Sequence, residues 1–414
     1  MRSLRLGIVT SGFPYTDKEA FLAPEIQTLA DSDLDVSIYP TNPKYASARH
    51  RFPGRSLPLP LGSAHTLAQA LLELITRFGR TMRALRVVMT NGSLRIRAKN
   101  ATVFLKALAV ARDMRRHGIE HVHAYWASTP ATVAHIVSML NDVPWSFTAH
   151  RWDIYEDNML AEKIRHARFA RVISQRGRTD ILGRIDAQAE KVRALHLGVD
   201  EPGPLYDAIS GELPCTIICA ANLVPVKGHA VLIEALRLAL GRGVSFRCVF
   251  AGDGPLRSEL SRAIDNAGLA EFVTLPGVIS HERLLAELAI GIYDIAALAS
   301  VEKGDLHEGL PAFLMEAMAA GVPCVATRTG SIDELIGADV GLLVPQQDAQ
   351  ALSHALETLA RDPDLRRTLG RAARRRVDEG FLATKTARQL LEWIQGEDSA
   401  HTRRATSEAT LARS

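Results

Sequence analysis

Short apolar runs alternate with longer segments of helical periodicity along most of this chain. In the C-terminal half, four such runs are bounded by turn residues or by polar residues that begin a loop: residues 215–221, 246–251, 272–275 and 322–327. Apolar runs of this length predict strands that are buried on both faces. Strands that alternate with helices form a doubly wound parallel sheet, whose ligands bind beyond the carboxyl ends of the strands. The loops that follow the strands are therefore the expected sites of chemistry.

Glu308 and Glu316 stand eight residues apart beside an apolar segment that ends at Gly321. The pattern predicts a helix that starts near Glu308, with Gly309 in the turn and Pro311 as the first helical residue. At 1.5 Å per residue the two carboxylates would lie roughly 12 Å apart, and the helix N-terminus between them would attract an anion. One ligand could then place a sugar at Glu308, a diphosphate at the helix N-terminus and a ribose at Glu316. The alternative is a surface helix with two solvated acids.

Five motifs of the C-terminal half occur in the order typical of one enzyme family. Lys227 lies in the first motif, on a loop between a strand and a helix, and the two glutamates form the third. The motifs cover residues 223–228, 251–256, 308–316, 316–323 and 341–345. In this order they resemble the retaining nucleotide-sugar glycosyltransferases of family 4, which have the two-domain GT-B fold. The resemblance covers nearly the whole C-terminal half.

The resemblance implies a role for each charged residue of these motifs. Lys227 would hold the donor diphosphate, Glu308 would contact the transferred sugar near the reacting carbon, and Glu316 would hold the ribose hydroxyls. The donor-binding segment between the glutamates would comprise Gly309, Leu310, Pro311 and Ala312. The family usually has an arginine where this chain has Asn222, which donates a hydrogen bond but brings no charge. The resemblance implies no cofactor and no metal ion.

The N-terminal half carries a second, weaker resemblance, to the exopolysaccharide and colanic-acid type members of the same family. It rests on the loop of residues 10–14, on the acidic helix start at Glu19, and on two segments that contain His123 and His150. It implies that Gly12 and Glu19 lie on the acceptor side, and that His150 lies near the donor sugar and takes part in catalysis. We interpret His123 as a structural histidine at the end of a strand.

Together the two resemblances predict an α/β protein with the GT-B fold, in which two doubly wound Rossmann-like domains face a cleft. The predicted N-terminal, acceptor-binding domain covers residues 1–203, and the predicted nucleotide-sugar-binding domain covers residues 204–380. Proline and glycine at residues 202–204 supply the break between them. The amphipathic segment 381–395 is expected to return as a helix to the N-terminal domain, and the polar segment 396–414 is expected to be disordered.

Composition fits this organisation. With 414 residues, 47% hydrophobic and 23% charged, the chain has enough apolar material for two cores. No apolar run reaches the ~18 residues of a membrane span, and the basic start runs into a strand rather than a signal sequence, so we expect a cytoplasmic protein. The four cysteines lie in predicted strands without metal-site spacing, and we expect them in the core. Asp31, Asp33 and Asp35 have a spacing that could hold a metal ion, but they lie in a predicted turn.

Positive charge is concentrated between Arg77 and Arg116, where the sequence has eleven Lys or Arg residues and a single acid, Asp113. One side of a predicted helix is apolar, at Leu67, Leu71, Leu74, Phe78, Met82, Leu85 and Met89, and the other side carries Arg77, Arg80, Arg83 and Arg86. Either the apolar side packs on the N-terminal domain beneath a solvated basic face, or the basic face docks on anionic membrane lipid. No motif supports nucleic-acid binding.

Three functions fit parts of this pattern. The favoured one is a retaining glycosyltransferase that moves a hexose from a nucleotide diphosphate sugar to a glycan or lipid-linked acceptor in surface polysaccharide synthesis, peripherally at the inner face of the membrane. The alternative is a catalytically silent protein that binds a sugar nucleotide or a carbohydrate, which Asn222 supports. A nicotinamide enzyme would need a third glycine after Gly252 and Gly254, and Arg257 occupies that place.

Overall fold

The computed structural model describes residues 3–44, 47–48, 50–186, 188–203, 214–304 and 307–396, with the backbone only at residues 17–18. The chain divides into two compact units. The N-terminal unit combines Met1–Gly198 with Ala383–Ser414, and the C-terminal unit is Val199–Leu382. The sequence places the corresponding limits at residues 203/204 and 380/381. The predicted disorder of residues 396–414 concerns a segment that, apart from Gly396, lies outside the described residues.

Seven parallel strands form the sheet of the N-terminal unit, in the order β3-β2-β1-β4-β5-β6-β7. The strands are β1 (Leu4–Thr10), β2 (Leu34–Pro40), β3 (Arg55–Ser56), β4 (His121–Tyr125), β5 (Trp145–Ala149), β6 (Ala170–Val172) and β7 (Val192–Ala194). The helices are α1 (Ala23–Asp31), α2 (Ala64–Thr76), α3 (Phe78–Thr90), α4 (Leu94–Arg116), α5 (Thr129–Asn141), α6 (Arg151–Glu156), α7 (Leu160–His166) and α8 (Gln175–Arg184). The strand order reverses between β1 and β4, so the carboxyl ends of these strands form the switch point of this sheet.

Six parallel strands form the sheet of the C-terminal unit, in the order β10-β9-β8-β11-β12-β13. The strands are β8 (Cys215–Ala220), β9 (Phe246–Ala251), β10 (Val273–Gly277), β11 (Ile295–Leu298), β12 (Cys324–Thr327) and β13 (Gly341–Val344). The helices are α9 (His229–Gly241), α10 (Arg257–Asn266), α11 (His281–Ala289), α12 (Ala312–Ala319), α13 (Ile332–Leu335), α14 (Ala349–Arg361) and α15 (Pro363–Gly380). Here the order reverses between β8 and β11.

Strands β11 and β12 are buried along their whole length, as expected for a parallel sheet with helices on both faces. All four cysteines are buried and free in the strands of this unit, which confirms the expectation from the sequence. Among the described residues, no helix is both long enough and apolar enough to cross a membrane.

The last helix, α16 (Ala383–Gln395), belongs to the N-terminal unit and packs against α1. Glu25 on α1 is fully buried, and its carboxylate accepts two hydrogen bonds from the buried guanidinium of Arg171 on β6, at 2.5 and 2.8 Å. Tyr125 on β4 donates to the same carboxylate at 2.6 Å, and Thr386 on α16 donates to it at 3.1 Å. The network therefore joins two helices and two strands around one charge pair, whose burial would be very unfavourable without these partners.

Residues 64–90 form two helices where the sequence predicts a single one. Arg77, with φ −126° and ψ 34°, separates α2 from α3. The residues that face inward are mostly small: Thr66, Ala70, Glu73, Thr81, Ala84 and Val88. Leu67, Leu71, Phe78 and Met89 are exposed instead. The predicted inward packing is therefore wrong for these four residues, because close packing of α2 and α3 against α4 selects small side chains. It holds for Leu74 and Leu85, which are half-buried and pack against the core of this unit.

Replacing Arg171 with methionine should destabilise the N-terminal unit by about 3–5 kcal/mol, since Glu25 would stay buried without its cation. Arg165→Met removes only an exposed partner of Glu162 and should cost less than about 1 kcal/mol. All four tryptophans lie in the N-terminal unit, so their fluorescence during urea unfolding reports on this unit alone. Equal losses of stability in the two variants would contradict the role of the buried pair.

Candidate functional site

The switch point of the C-terminal sheet brings a cation and an anion into contact. Lys227 closes a single 3-10 turn, Pro225–Lys227, in the loop after β8, and Glu308 lies in the segment between β11 and α12. The Nζ of Lys227 donates to Oε2 of Glu308 at 2.6 Å, and Ser300 Oγ contributes a hydrogen bond to the same oxygen at 2.9 Å. The Lys227 side chain is 20% exposed and that of Glu308 is 12% exposed, so both remain accessible to a ligand.

Two glycines allow the backbones of these loops to touch. Gly228 has φ +64°, and a Cβ at this position would lie 1.8 Å from the carbonyl oxygen of Ala299. Gly330 has φ +57°, and a Cβ there would lie 1.7 Å from the carbonyl oxygen of Glu308. A larger residue at either position would push the loops apart. The position of Lys227 relative to Glu308 therefore depends on both glycines.

The helix between the two glutamates starts later than the sequence indicates. Helix α12 begins at Ala312, and Pro311 is its N-cap with φ −76° and ψ 113°. The predicted helix start near Glu308, and the assignment of Pro311 to the first helical position, are therefore wrong. The distance of roughly 12 Å between the carboxylates assumes a continuous helix and does not apply. The hydrogen bonds and close backbone contact of Glu308 hold it in a non-helical path.

Four of the predicted donor-binding residues form the segment that leads from Glu308 into α12, and their role stays a prediction. Gly309, Leu310 and Ala312 are half-buried, and Pro311 is buried. The N–H groups of Leu314 and Met315 donate to the carbonyl oxygen of Pro311, at 3.0 and 3.3 Å. Those of Ala312 and Phe313 come before these bonds, at the positive end of the helix dipole. This segment can therefore offer hydrogen bonds and a favourable field to an anion.

Glu316 lies on α12 and contacts a residue that the sequence does not single out. His281, the first residue of α11, approaches Oε1 of Glu316 with its Nε2 at 2.8 Å. The Glu316 side chain is 11% exposed and the His281 side chain 43%. This hydrogen bond raises the pKa of His281, and the charges of Glu316 and Asp200 act in the same direction. No motif identifies His281, because only the fold places it beside Glu316.

The glycines of the turn after β9 are explained by packing. A Cβ at Gly252 would lie 2.0 Å from the carbonyl oxygen of Ala221, and a Cβ at Gly254 would lie 2.5 Å from that of Leu223. The turn therefore packs on the backbone on either side of Asn222. Asn222 itself is exposed. These contacts account for both glycines without a nicotinamide site.

A third carboxylate lies in the loop after β11. Oε1 of Glu302 accepts a hydrogen bond from the N–H of Gly330 at 2.7 Å, and the N–H of Glu302 donates to Gln346 Oε1 at 2.6 Å. Neither Ser300 nor Glu302 is predicted from the sequence. Their position directly after a strand is the signal that could identify them.

In the N-terminal unit, Glu19 is hydrogen-bonded to the backbone of the loop after β1. Its Oε2 accepts hydrogen bonds from the N–H groups of Gly12 and Phe13, both at 2.6 Å, and its Oε1 accepts one from Trp126 Nε1. Burial raises the pKa of Glu19, and the hydrogen bonds oppose this effect. The structure thus brings Gly12 and Glu19 together, and both carboxylate oxygens already have protein partners. Their acceptor-side role stays a prediction.

His150 follows β5 and is buried among aromatic side chains. Its ring centroid lies 4.2 Å from that of Trp126 and 5.7 Å from that of Phe21. Burial lowers the pKa of His150 to about 3, with a smaller effect from Arg171, so the imidazole is neutral at ordinary pH. Within the described part of the chain, its Nε2 has no hydrogen-bond partner. A neutral imidazole with an open nitrogen can hydrogen-bond a ligand, whereas proton donation from an imidazolium is excluded near neutral pH.

His123 has partners on both ring nitrogens. Its Nδ1 lies 2.8 Å from Ser146 Oγ, and its Nε2 lies 2.9 Å from Thr148 Oγ1. The residue is fully buried in β4. These contacts confirm the structural interpretation of His123.

One cluster among the described residues has His and carboxylate donor atoms within 4.8 Å of one another: His135, Glu162 and His166. Arg165 already donates to Oε2 of Glu162 at 2.9 Å, and His166 Nε2 lies 3.4 Å from Oε1. These contacts make the group an ion-pair cluster on α5 and α7, and it contains none of the predicted site residues. The three aspartates in residues 31–35 are exposed and are not part of it.

Part of this sequence is similar to known glycosyltransferases. Residues 211–376 match the family model described as glycosyl transferases group 1. The WcaL protein of Escherichia coli (strain K12), named as a colanic acid biosynthesis glycosyltransferase, is 35% identical over 223 residues, which is 52% of this chain and 53% of that protein. The amylovoran biosynthesis glycosyltransferase AmsK of Erwinia amylovora is 34% identical over 212 residues, 50% of this chain and 51% of AmsK. The chain thus spans about half the length of the curated relatives it matches. The family model and these relatives confirm the resemblance to glycosyltransferases of the colanic-acid type, whereas family 4 and the retaining mechanism stay predictions.

Solved structures share the fold along almost the whole chain. A sucrose-phosphate synthase from Thermosynechococcus elongatus superposes with a TM-score of 0.72 and 20% identity, covering 96% of this chain and 100% of that one. Anabaena Alr3699/HepE in complex with UDP-glucose gives a TM-score of 0.68 at 18% identity, covering 95% and 100%. At these identities the comparison shows the fold alone, and it confirms the expected GT-B fold with two Rossmann-like domains.

Gly330→Ala should lower the free energy of unfolding of the C-terminal unit by at least about 2 kcal/mol. The alanine must adopt φ +57°, and its Cβ must displace the Glu308 carbonyl. Gly241→Ala is the matched control, because a Cβ at Gly241 meets no atom within 4 Å. Hydrogen exchange of peptides from Val199–Leu382 measures the loss. A Gly330→Ala protein as stable as the control would disprove the close approach.

His281 should stabilise the C-terminal unit in a pH-dependent way. Its pKa is raised in the folded protein, so its contribution is fully present below the ordinary value of 6.5 and is lost as pH rises through the folded pKa. The destabilisation caused by His281→Gln should therefore be larger at about pH 6 than at about pH 9. In a Glu316→Gln background this pH dependence should shrink, since the partner charge is gone. A difference that does not vary with pH in either background would rule out the coupling.

Proposed function

Because residues 211–376 match the glycosyl transferases group 1 family, we propose that this protein is a retaining glycosyltransferase. It moves a hexose from a nucleotide diphosphate sugar to a glycan or lipid-linked acceptor. The observation that supports this best is the contact of Lys227 with Glu308 at 2.6 Å, beside the start of α12. A single donor could meet this cation, this anion and the helix N–H groups together. The names of WcaL and AmsK favour surface polysaccharide synthesis as the setting.

On this proposal the donor diphosphate replaces Glu308 as the partner of Lys227. The Glu308 carboxylate then turns to the hydroxyl groups of the transferred sugar, while Ser300 remains within reach of one of its oxygens. Lys227 and the N–H groups at the start of α12 stabilise the diphosphate as it leaves. Glu316 accepts hydrogen bonds from the ribose through its second carboxylate oxygen, since His281 contacts the first.

Retention requires that the new bond form on the face from which the diphosphate leaves. The bond between the anomeric carbon and the diphosphate oxygen breaks, and the acceptor oxygen bonds to the same carbon on the same face. The acceptor proton passes to a β-phosphate oxygen. Charge stabilisation comes from Lys227 and α12, so the step as proposed uses no metal ion and no cofactor.

In the N-terminal unit, His150 would offer its Nε2 to a sugar hydroxyl as a neutral imidazole. Glu19 would shape the acceptor side indirectly, by holding the loop that contains Gly12. The proposal also places the protein in the cytoplasm, in peripheral contact with the inner face of an anionic membrane. This location would bring it to a lipid-linked acceptor.

A catalytically silent protein that binds a sugar nucleotide or a carbohydrate is the second candidate. Asn222 favours it, because the family usually places a second cation there and this residue brings no charge. A glycosyltransferase turns over the donor, whereas a catalytically silent protein only binds it. A screen of labelled UDP- and GDP-sugars with glycan and lipid-linked acceptors separates them, and NMR of the product anomeric carbon tests retention.

Lys227→Ala should lower kcat/KM for the donor by about 10²–10³-fold and weaken binding of the nucleoside diphosphate, because Asn222 cannot replace the lost charge. Glu316→Gln should raise the donor KM and weaken nucleotide binding. Glu308→Gln should lower kcat while the nucleoside diphosphate still binds. Steady-state kinetics and calorimetry measure these effects.

Lys303→Ala serves as the matched control for Lys227→Ala, because Lys303 is an exposed lysine in the loop after β11. It should leave turnover and nucleotide affinity unchanged. Wild-type turnover of Lys227→Ala at saturating donor would remove Lys227 from the site. Equal losses of nucleotide affinity in the two glutamate variants would contradict their separate roles.

A further inference from the structure

Exposed large hydrophobic side chains are concentrated in one part of the N-terminal unit. Thirteen such side chains are exposed among the described residues, and nine of them lie between residues 61 and 105. The nine are Leu61, Leu67, Leu71, Leu72, Ile75, Phe78, Met89, Leu94 and Leu105. Single exposed apolar residues are common on protein surfaces, whereas such a concentration marks an interaction surface.

Four of these side chains form a stripe along α2 and the start of α3. Leu67, Leu71 and Ile75 are spaced by four residues on α2, and Phe78 is the first residue of α3. Their exposed fractions are 45%, 56%, 65% and 61% in chain order. Residues with this spacing lie on one face of a helix. These four residues are called the apolar stripe below.

The exposed Lys, Arg, Asp and Glu residues between residues 61 and 105, the segment that carries the apolar stripe, are all basic. Arg83 and Arg86 on α3 and Arg95 on α4 are exposed, and none of the three has an acidic partner among the described residues. The single acid between residues 61 and 105 is Glu73, which is buried and bonded to arginines of α4.

The basic face predicted from the sequence is partly engaged inside the N-terminal unit. Arg77 and Arg80 donate to the carbonyl oxygen of Leu140, at 3.4 and 3.1 Å, and Arg80 also pairs with Asp142 at 2.5 Å. Within this face Arg83 and Arg86 therefore remain available to a partner, and Arg95 is also exposed, near the start of α4.

We propose that the apolar stripe inserts into the surface layer of an anionic membrane, with Arg83, Arg86 and Arg95 contacting the lipid phosphates. An amphipathic helix of this kind lies in the membrane interface with its apolar face between headgroups and acyl chains. This contact would be the peripheral membrane contact of the proposed function. It rests on that function in one respect: access to a lipid-linked acceptor is the reason for the protein to bind a membrane.

Charge favours lipid over a second copy of this chain as the occupant. Two copies joined through this face would bring arginines against arginines, with no exposed acid between residues 61 and 105 to pair with them. Anionic headgroups instead attract the arginines while the acyl chains accept the leucine, isoleucine and phenylalanine side chains.

The test uses co-sedimentation with vesicles of phosphatidylcholine alone and of phosphatidylcholine mixed with phosphatidylglycerol. The wild type should sediment with the mixed vesicles, less with the neutral ones, and less at high salt because the Debye length shortens. The triple variant Leu71→Ser, Ile75→Ser, Phe78→Ser should lose retention by at least about tenfold at every salt concentration. Arg83→Glu with Arg86→Glu should mainly remove the preference for the anionic vesicles.

Ile290→Ser with Ile292→Ser is the matched control, because these two exposed isoleucines, 59% and 45%, lie in the C-terminal unit. It should sediment like the wild type. Insertion itself is measured with Phe78→Trp, whose added fluorescence should be quenched by lipids brominated in the acyl chains. Circular dichroism and titration with UDP or GDP show whether each variant is folded and still binds nucleotide.

Failure of the wild type to sediment with anionic vesicles at low salt would overturn the inference, as would wild-type retention of the triple variant. A wild-type dimer that the triple variant breaks, without vesicle binding, would assign the stripe to a second copy. Vesicle binding depends on α2 and α3, and nucleotide binding depends on the C-terminal unit. Loss of one with the other intact therefore shows which proposal has failed.

Discussion

The contact between Lys227 and Glu308 sets the geometry at the edge of the C-terminal sheet where β8 and β11 end. Partly exposed ion pairs add little to stability, about 0–1 kcal/mol, so folding alone does not explain this one. It is held by Ser300 and by two positions that require glycine, Gly228 and Gly330. Such a fixed pair of opposite charges beside a helix N-terminus is preorganised for a ligand with both an anionic group and hydroxyl groups. A nucleotide diphosphate sugar has both.

The two units treat their charged groups differently. In the N-terminal unit two buried carboxylates accept hydrogen bonds from protein groups at both of their oxygens. Glu25 accepts from Arg171, Tyr125 and Thr386, and Glu19 accepts from the loop after β1 and from Trp126. In the C-terminal unit Lys227, Glu308 and Glu316 keep part of their surface exposed. Carboxylates whose oxygens are hydrogen-bonded within the protein hold loops and helices in place, whereas partly exposed groups can exchange a protein partner for a ligand. Donor recognition is thus expected from the C-terminal unit.

Much of the fold could be predicted because parallel strands leave a strong pattern. Apolar runs with turn residues at their ends mark both sheets, and the order of the motifs places Lys227, Glu308 and Glu316 near one switch point. The start of α12 could not be predicted from spacing, since tertiary hydrogen bonds hold Glu308 outside the helix. His281 carries no sequence signal, because its contact with Glu316 joins two helices that are distant along the chain. The sequence also could not show which face of α2 and α3 is buried, since periodicity does not say which face packs inward.

Calorimetric titration of the wild-type protein with UDP, GDP and NAD, in buffer containing a chelator of divalent metals, tests the central claim most directly. If Lys227, α12 and Glu316 form a nucleotide diphosphate site, UDP or GDP binds with one site per chain without added metal, and NAD does not bind. Binding of NAD with comparable affinity, or no binding of either nucleoside diphosphate, would contradict it.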